Sequence, residues 1–244
     1  MDGAVCTNQT KKQSINQNSR NMITEASSVA ESLMKQYRSI SLPSEEYAER
    51  EREAQAREIR EKAAKILQAS HLPKRHLTTK EAELHGDEWL ENKRGLESML
   101  NKRGAVLSII GPRGTGKTQM AVSLARSQAN LGRSVYYTTA MGLFMDLRAS
   151  FGGAQKTSDR DAIKPFISPS LLIIDEIQVR SDTPFEDAKL THLIDARYAD
   201  MKDTIIISNL KAEALAASVG DSAMSRSKEG GGLLELNCGN YRIL

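Results

Sequence analysis

The chain has 244 residues, of which 39% are hydrophobic, 27% charged and 5% aromatic, with a formal net charge of +3. That is enough for one core plus an appendage, and the charge is too mild to name a nucleic-acid partner by itself. Two cysteines, Cys6 and Cys238, exclude a disulfide framework and a four-ligand zinc site and read as free thiols of a reducing cytoplasm. The polar N-terminus has no apolar h-region and no run approaches the ~18 apolar residues of a span, so neither a signal peptide nor membrane association is expected.

Residues 1–40 are rich in Asn, Gln, Ser and Lys and read as mostly disordered, with a weak helix over 25–37 where Val29, Leu33 and Met34 share a face. Ser44, followed by Glu45 and Glu46, has the features of a helix start. Residues 45–68 then read as one long helix with Glu46/Arg50, Glu53/Arg57, Glu58/Lys62 and Glu61/Lys65 at i,i+4. Its narrow stripe of Ala56, Ile59, Ala63, Ile66 and Leu67 suits either a solvated helix leaning on the domain or a partner-binding helix. Pro73 ends this part, and 71–79 reads as a linker.

From there strands alternate with helices. Strands are predicted at 105–110, 134–139, 171–174, 204–208 and 233–236, and helices at 118–130, 142–150 and 185–201. Such alternation predicts a parallel sheet flanked by helices.

The chemistry lies at the strand ends. Gly111-Pro112-Arg113-Gly114-Thr115-Gly116-Lys117-Thr118 fits the phosphate-loop pattern G-x-x-x-x-G-K-[ST], with a strand before it and a helix after it. Glycines let backbone N–H groups wrap the phosphates of ATP, Lys117 reaches the β- and γ-phosphates, and the Thr118 hydroxyl ligates Mg²⁺. The strand LLII delivers Asp175 to hold Mg²⁺ and Glu176 to polarise the attacking water. Asn209 ends the next strand, where an amide either orients that water or caps a turn. Arg226 and Arg242 stand near the C-terminus, and by spacing alone each is either a phosphate contact or a surface arginine.

Together GPRGTGKT, LLIIDEI, ARYADMKDTIIISNL and EGGGLLELNCGNYR resemble the DnaC/IstB group of AAA+ ATPases, the bacterial helicase loaders and transposition helpers, over roughly residues 72–241. The resemblance implies a P-loop AAA+ domain at 76–244 without a separate C-terminal helical lid, preceded by a flexible leader and helical partner-binding region at 1–75. It implies that Arg226 is an arginine finger reaching the neighbouring subunit's ATP and that Arg242 acts on the γ-phosphate. It also implies that Arg148, Phe151, Thr183 and Phe185 lie on loops that grip single-stranded DNA. Departures from the family pattern are Ser225 before Arg226, where Asp is usual, and Gln178 after Asp-Glu-Ile, where Gly is usual.

The function implied is an ATPase that loads a hexameric replicative helicase onto single-stranded DNA, with subunits associating in an ATP-dependent spiral and the N-terminal region gripping the helicase. The alternatives are a transposition helper of the IstB type assembling on duplex DNA, and an AAA+ adaptor or chaperone that does not act on DNA.

Overall fold

Five short apolar runs pair as one parallel sheet: β1 (Val106–Ile110), β2 (Val135–Thr139), β3 (Leu171–Asp175), β4 (Asp203–Ser208) and β5 (Gly232–Glu235). The structure, a computed structural model, describes residues 27–36, 45–79, 86–152 and 158–237, without the side chains of Phe151 and Asp159. Nine helices are described: α1 (27–36), α2 (Glu45–Gln68), α3 (Lys74–Leu77), α4 (Asp87–Lys102), α5 (Lys117–Asn130), α6 (Ala140–Gly152), α7 (Asp159–Ile167), α8 (Pro184–Ala199) and α9 (Ala212–Gly230).

Strand pleating sorts the core into two layers. Val106 and Ile110 of β1, Leu172 and Ile174 of β3 and Ile206 of β4 face α6, α7, α8 and α9. Leu107, Ile109, Leu171, Ile173, Ile205 and Ile207 face the other way, onto α4 and α5. Strands buried on both faces read as continuous apolar runs, which is why β1, β3 and β4 stand out in the sequence.

The strand order is β2-β3-β4-β1-β5. β4 therefore lies between β1, which leads into the phosphate loop, and β3, which ends in Asp175. That order carries Asn209 to the sheet edge between the two.

The described residues divide into two units, with the boundary between Ala54 and Gln55. In the first, α1 leaves Val29, Leu33 and Met34 exposed, and Arg50 and Glu46 of α2 pair at 2.7 Å. In the second, the C-terminal half of α2 buries Ala63 and packs Ile66 and Leu67 against the α4/α5 layer. Lys62 pairs with Glu58 at 2.6 Å, and Arg57 lies 3.6 Å from Glu61, on its C-terminal side instead of towards Glu53.

Three helices were not foreseen, α4, α7 and α9, and the stretch 71–79 is more than a linker. It holds the single turn α3 and is bound to the core along its length. The Ser70 carbonyl accepts the Tyr137 amide at 2.8 Å on the edge strand β2, the Leu77 and Thr79 carbonyls accept Arg126, and His76 Nδ1 meets Gln119 Oε1 at 2.8 Å. Backbone groups close to a core need partners, and α5 and the free edge of β2 supply them.

Candidate nucleotide-binding and catalytic site

The phosphate loop is shaped by its glycines. Gly111, Gly114 and Gly116 have φ of +139°, +90° and +85°. A Cβ at Gly111 would stand 2.2 Å from the Leu236 carbonyl oxygen, so the loop leaves β1 in a space only glycine fits. Gly116 opens α5, whose first turn holds no acidic residue, leaving the positive helix end for an anion. Lys117 is buried, and its Nζ donates to the carbonyls of Gly111 at 2.8 Å and Pro112 at 2.6 Å. Thr115 Oγ1 donates to the Pro112 carbonyl at 3.0 Å, while Pro112 and Arg113 are exposed.

Asp175 gathers three donors. Its Oδ2 accepts Thr118 Oγ1 at 2.8 Å and Tyr137 Oη at 2.9 Å, and its Oδ1 accepts the Glu176 amide at 2.7 Å. Tyr137 went unnoticed in the sequence. Burial, together with the charge of Asp175, pushes its hydroxyl far above the ordinary tyrosine range, so it remains a donor. Glu176 is exposed and has a left-handed φ of +53°, a strained conformation for a residue with a side chain. The turn holds it: the Val179 amide bonds the Glu176 carbonyl at 2.8 Å, and the Ile177 amide bonds the Ile207 carbonyl at 3.1 Å.

The Thr118 hydroxyl and the Asp175 carboxylate are hard oxygen donors in contact, a set that fits Mg²⁺ sharing its remaining positions with phosphate oxygens. Among the described residues no group of three or more His, Cys, Asp or Glu could hold a metal unaided.

Asn209 is half-buried at the end of β4, and its backbone N–H donates to Gln178 Oε1 at 3.2 Å. Arg226 lies on α9, with Nε 3.3 Å from Asp195 Oδ1 and its guanidinium 4.6 Å from the centre of the Tyr198 ring. It is thus placed against α8, while Thr118, Asp175 and Glu176 form a contiguous set at the phosphate loop. Arg242 lies outside the described residues.

Of the four residues expected to contact DNA, three have structural partners. Arg148 on α6 pairs at 2.5 Å with Glu186, which is 1% exposed and also accepts the Ser181 amide at 2.9 Å. Thr183 caps α8 by accepting the Glu186 amide at 3.4 Å. Phe185 lies against the α6–α9 layer with Lys189 Nζ 5.7 Å from its ring centre. The Arg148–Glu186 pair joins the end of α6 to the first turn of α8. The Phe151 side chain lies outside the described residues, although its backbone is in the last turn of α6.

Arg180 was also overlooked. Its side chain is 2% exposed, with Nε 2.9 Å from Asp182, Nη1 2.9 Å from Asp187 and Nη2 donating to the Ser218 carbonyl. It ties the loop after Glu176 to α9. No helix among the described residues is long and apolar enough to cross a membrane.

Comparison with known proteins agrees with this geometry. The replicative helicase loader DnaC of Buchnera aphidicola subsp. Baizongia pistaciae (strain Bp) is 27% identical over 143 residues, 58% of this chain and 58% of that one. The match thus spans less than two thirds of the relative's length. A crystal structure of the DnaC helicase loader superposes with a TM-score of 0.59 at 21% identity, covering 68% of this chain and 100% of the other. The replication initiator DnaA bound to AMPPCP and single-stranded DNA gives 0.58 at 23% identity, covering 70% of this chain and 53% of the other. The fold is the P-loop AAA+ fold of these neighbours. The model of the IstB-like ATP binding proteins matches residues 20–227, and with the phosphate loop and its aspartate in place this chain belongs to that family.

Proposed function

We propose that the chain hydrolyses ATP and uses the cycle to load a hexameric replicative helicase onto single-stranded DNA. The observation that carries the hydrolytic part is the 2.8 Å contact between Thr118 and Asp175 with Glu176 next in sequence, which sets two magnesium-type ligands beside a carboxylate base. Lys117 leaves the Gly111 and Pro112 carbonyls for the β- and γ-phosphates, and the loop amides and the positive end of α5 hold the rest of the triphosphate. Mg²⁺, held by Thr118 and Asp175, would neutralise developing phosphate charge. Glu176 takes the proton of the attacking water, and Asn209 orients that water. Arg226 reaches the γ-phosphate of a neighbouring subunit and Arg242 acts on its own.

The division of labour proposed is a helical partner-binding region at 1–75, which grips the helicase, and an ATPase domain at 76–244 that self-associates as a spiral. Arg148, Phe151, Thr183 and Phe185 line its DNA path. The DnaC relatives support the loader reading. The family match supports a second reading, a transposition helper on duplex DNA.

Two measurements test this. Glu176→Gln should bind ATP like the wild type and turn it over on the order of 10²-fold more slowly; an unchanged rate removes Glu176 as the base. Fluorescence anisotropy with a short oligonucleotide should show ATP-dependent binding that favours single strands and weakens steeply with salt. Tighter binding to duplex selects the transposition reading.

A further inference from the structure

The loop after Glu176 is fastened to the end of β4 by one side chain. Gln178 Oε1 accepts two hydrogen bonds, from Ser208 Oγ at 3.1 Å and from the Asn209 amide at 3.2 Å. Ser208, itself buried, passes the connection on by accepting the Leu210 amide at 3.0 Å. The orientation of the Gln178 amide is decided by Asn209: a backbone N–H can only donate, so the oxygen must face it. The other end of the amide gains nothing, since Nε2 is fully buried and has no hydrogen-bond partner among the described residues. A buried NH₂ without a partner is unfavourable, and any apolar side chain of that length would avoid it. What glutamine adds here is its acceptor oxygen.

We propose that Gln178 is a positioning residue that sets Asn209 against Glu176, so that the amide ending β4 and the base after β3 meet the same water. Two connections cross between these segments: the Ile177 amide on the Ile207 carbonyl, and Gln178 on Ser208 and Asn209. The first joins the residue after Glu176, two positions past β3, to the backbone within β4. The second reaches past the last residue of β4 to Asn209, which the Ile177 bond, ending on Ile207, does not hold. Gln178 fixes the β4 end at the residue whose side chain is needed. This rests on the reading of the site as an ATPase.

Gln178→Met keeps length and volume and removes the acceptor. It should lower kcat for ATP about tenfold, a misplacement effect of the size expected for a water-orienting group, with KM and the affinity for a fluorescent ATP analogue within about twofold of wild type. A packing role would also slow Gln178→Met, so the decisive measurement is in an Asn209→Ala background. There the Gln178→Met change should cost less than about twofold, because the group it positions is gone. Ser208→Ala, which removes a donor to Gln178, should slow turnover in the same non-additive way and serves if Gln178→Met does not fold. Full additivity with Asn209→Ala overturns the proposal. So does wild-type turnover by Gln178→Met while Glu176→Gln is slow, an outcome that leaves the ATPase reading intact. A wild-type chain with no ATP turnover overturns both.

Discussion

At the scale of single residues the site is organised around one carboxylate. Asp175 accepts from Thr118, Tyr137 and the Glu176 amide, so its position is set from three elements before any ligand arrives. Tyr137→Phe removes one of these donors and nothing else of comparable size. A hydrogen bond to a charged acceptor contributes about 1.5–3 kcal/mol, and the loss should appear as lower stability in a denaturant melt at pH 7. The pH dependence has a defined sign. The folded-state value of Tyr137 lies above the unfolded one, so the stabilisation is complete below about pH 10 and falls as pH rises from there towards the folded value. The gap between wild type and Tyr137→Phe should therefore narrow above pH 10; a constant gap would mean the hydroxyl does not bond Asp175. The motif residues were legible because phosphate chemistry demands fixed spacing. Tyr137 was not, and Gln178 stood out only as a departure from the family pattern with no role attached, because each acts across a neighbouring strand, and the strand order that makes them neighbours has no local signature.

At the scale of elements the strands were easier to see than the helices. Fully buried strands are plain apolar runs, whereas each unforeseen helix hides its period. α4 buries only Trp89, Leu96 and Leu100, and Gly95 interrupts the stripe. Its acidic start, Asp87-Glu88, was the available signal. α7 carries Pro165 inside, which reads as a breaker, although Ser158 caps it by accepting the Asp161 amide at 3.1 Å. α9 is broken at Gly220, whose φ is +84°, and much of it is small residues. These helices are held by tertiary contacts that propensity does not report. One such contact is Arg197 of α8, fully buried, which donates to the carbonyls of Phe166, Ile167, Pro169 and Asp203 and to Thr204 Oγ1. Burial pulls its guanidinium down to about 9, while Asp203 and Asp200 hold it up. Arg197→Met would leave those carbonyls without a donor at the junction of α7, β3 and β4. The expected loss is roughly 3–5 kcal/mol in unfolding free energy, at about 1–3 kcal/mol for each buried carbonyl left unpaired, measured by urea denaturation. A loss below about 1 kcal/mol would show that the chain end of α7 finds other partners.

At the scale of the whole molecule the sheet order decides which residues can act together within one chain. β4 between β1 and β3 brings Asn209 to the edge shared by Lys117 and Asp175, and leaves Arg226 on α9 against α8. Arg226 is held there weakly. Its ion pair with Asp195 is 3.3 Å long with both side chains more than a third exposed, and exposed pairs contribute less than about 1 kcal/mol. The Tyr198 ring adds a cation–π contact of similar size. A guanidinium so placed can exchange these partners for a phosphate on another copy of the chain at small cost. Arg226→Ala should therefore bind ATP like the wild type and hydrolyse it at least tenfold more slowly, since arginine fingers contribute about 10³ or more in rate. Mixing supplies the decisive arm. Lys117→Ala has an intact Arg226 and a disabled phosphate loop, while Arg226→Ala has the reverse. Each alone is slow, but in a mixed assembly the Lys117→Ala subunit offers its arginine to the neighbour's ATP. Activity should rise with mixing ratio to a maximum and fall again as one partner is diluted. A rate that stays at the weighted sum of the two variants at every ratio would place Arg226 in its own subunit, held to Asp195 and Tyr198 as a structural pair.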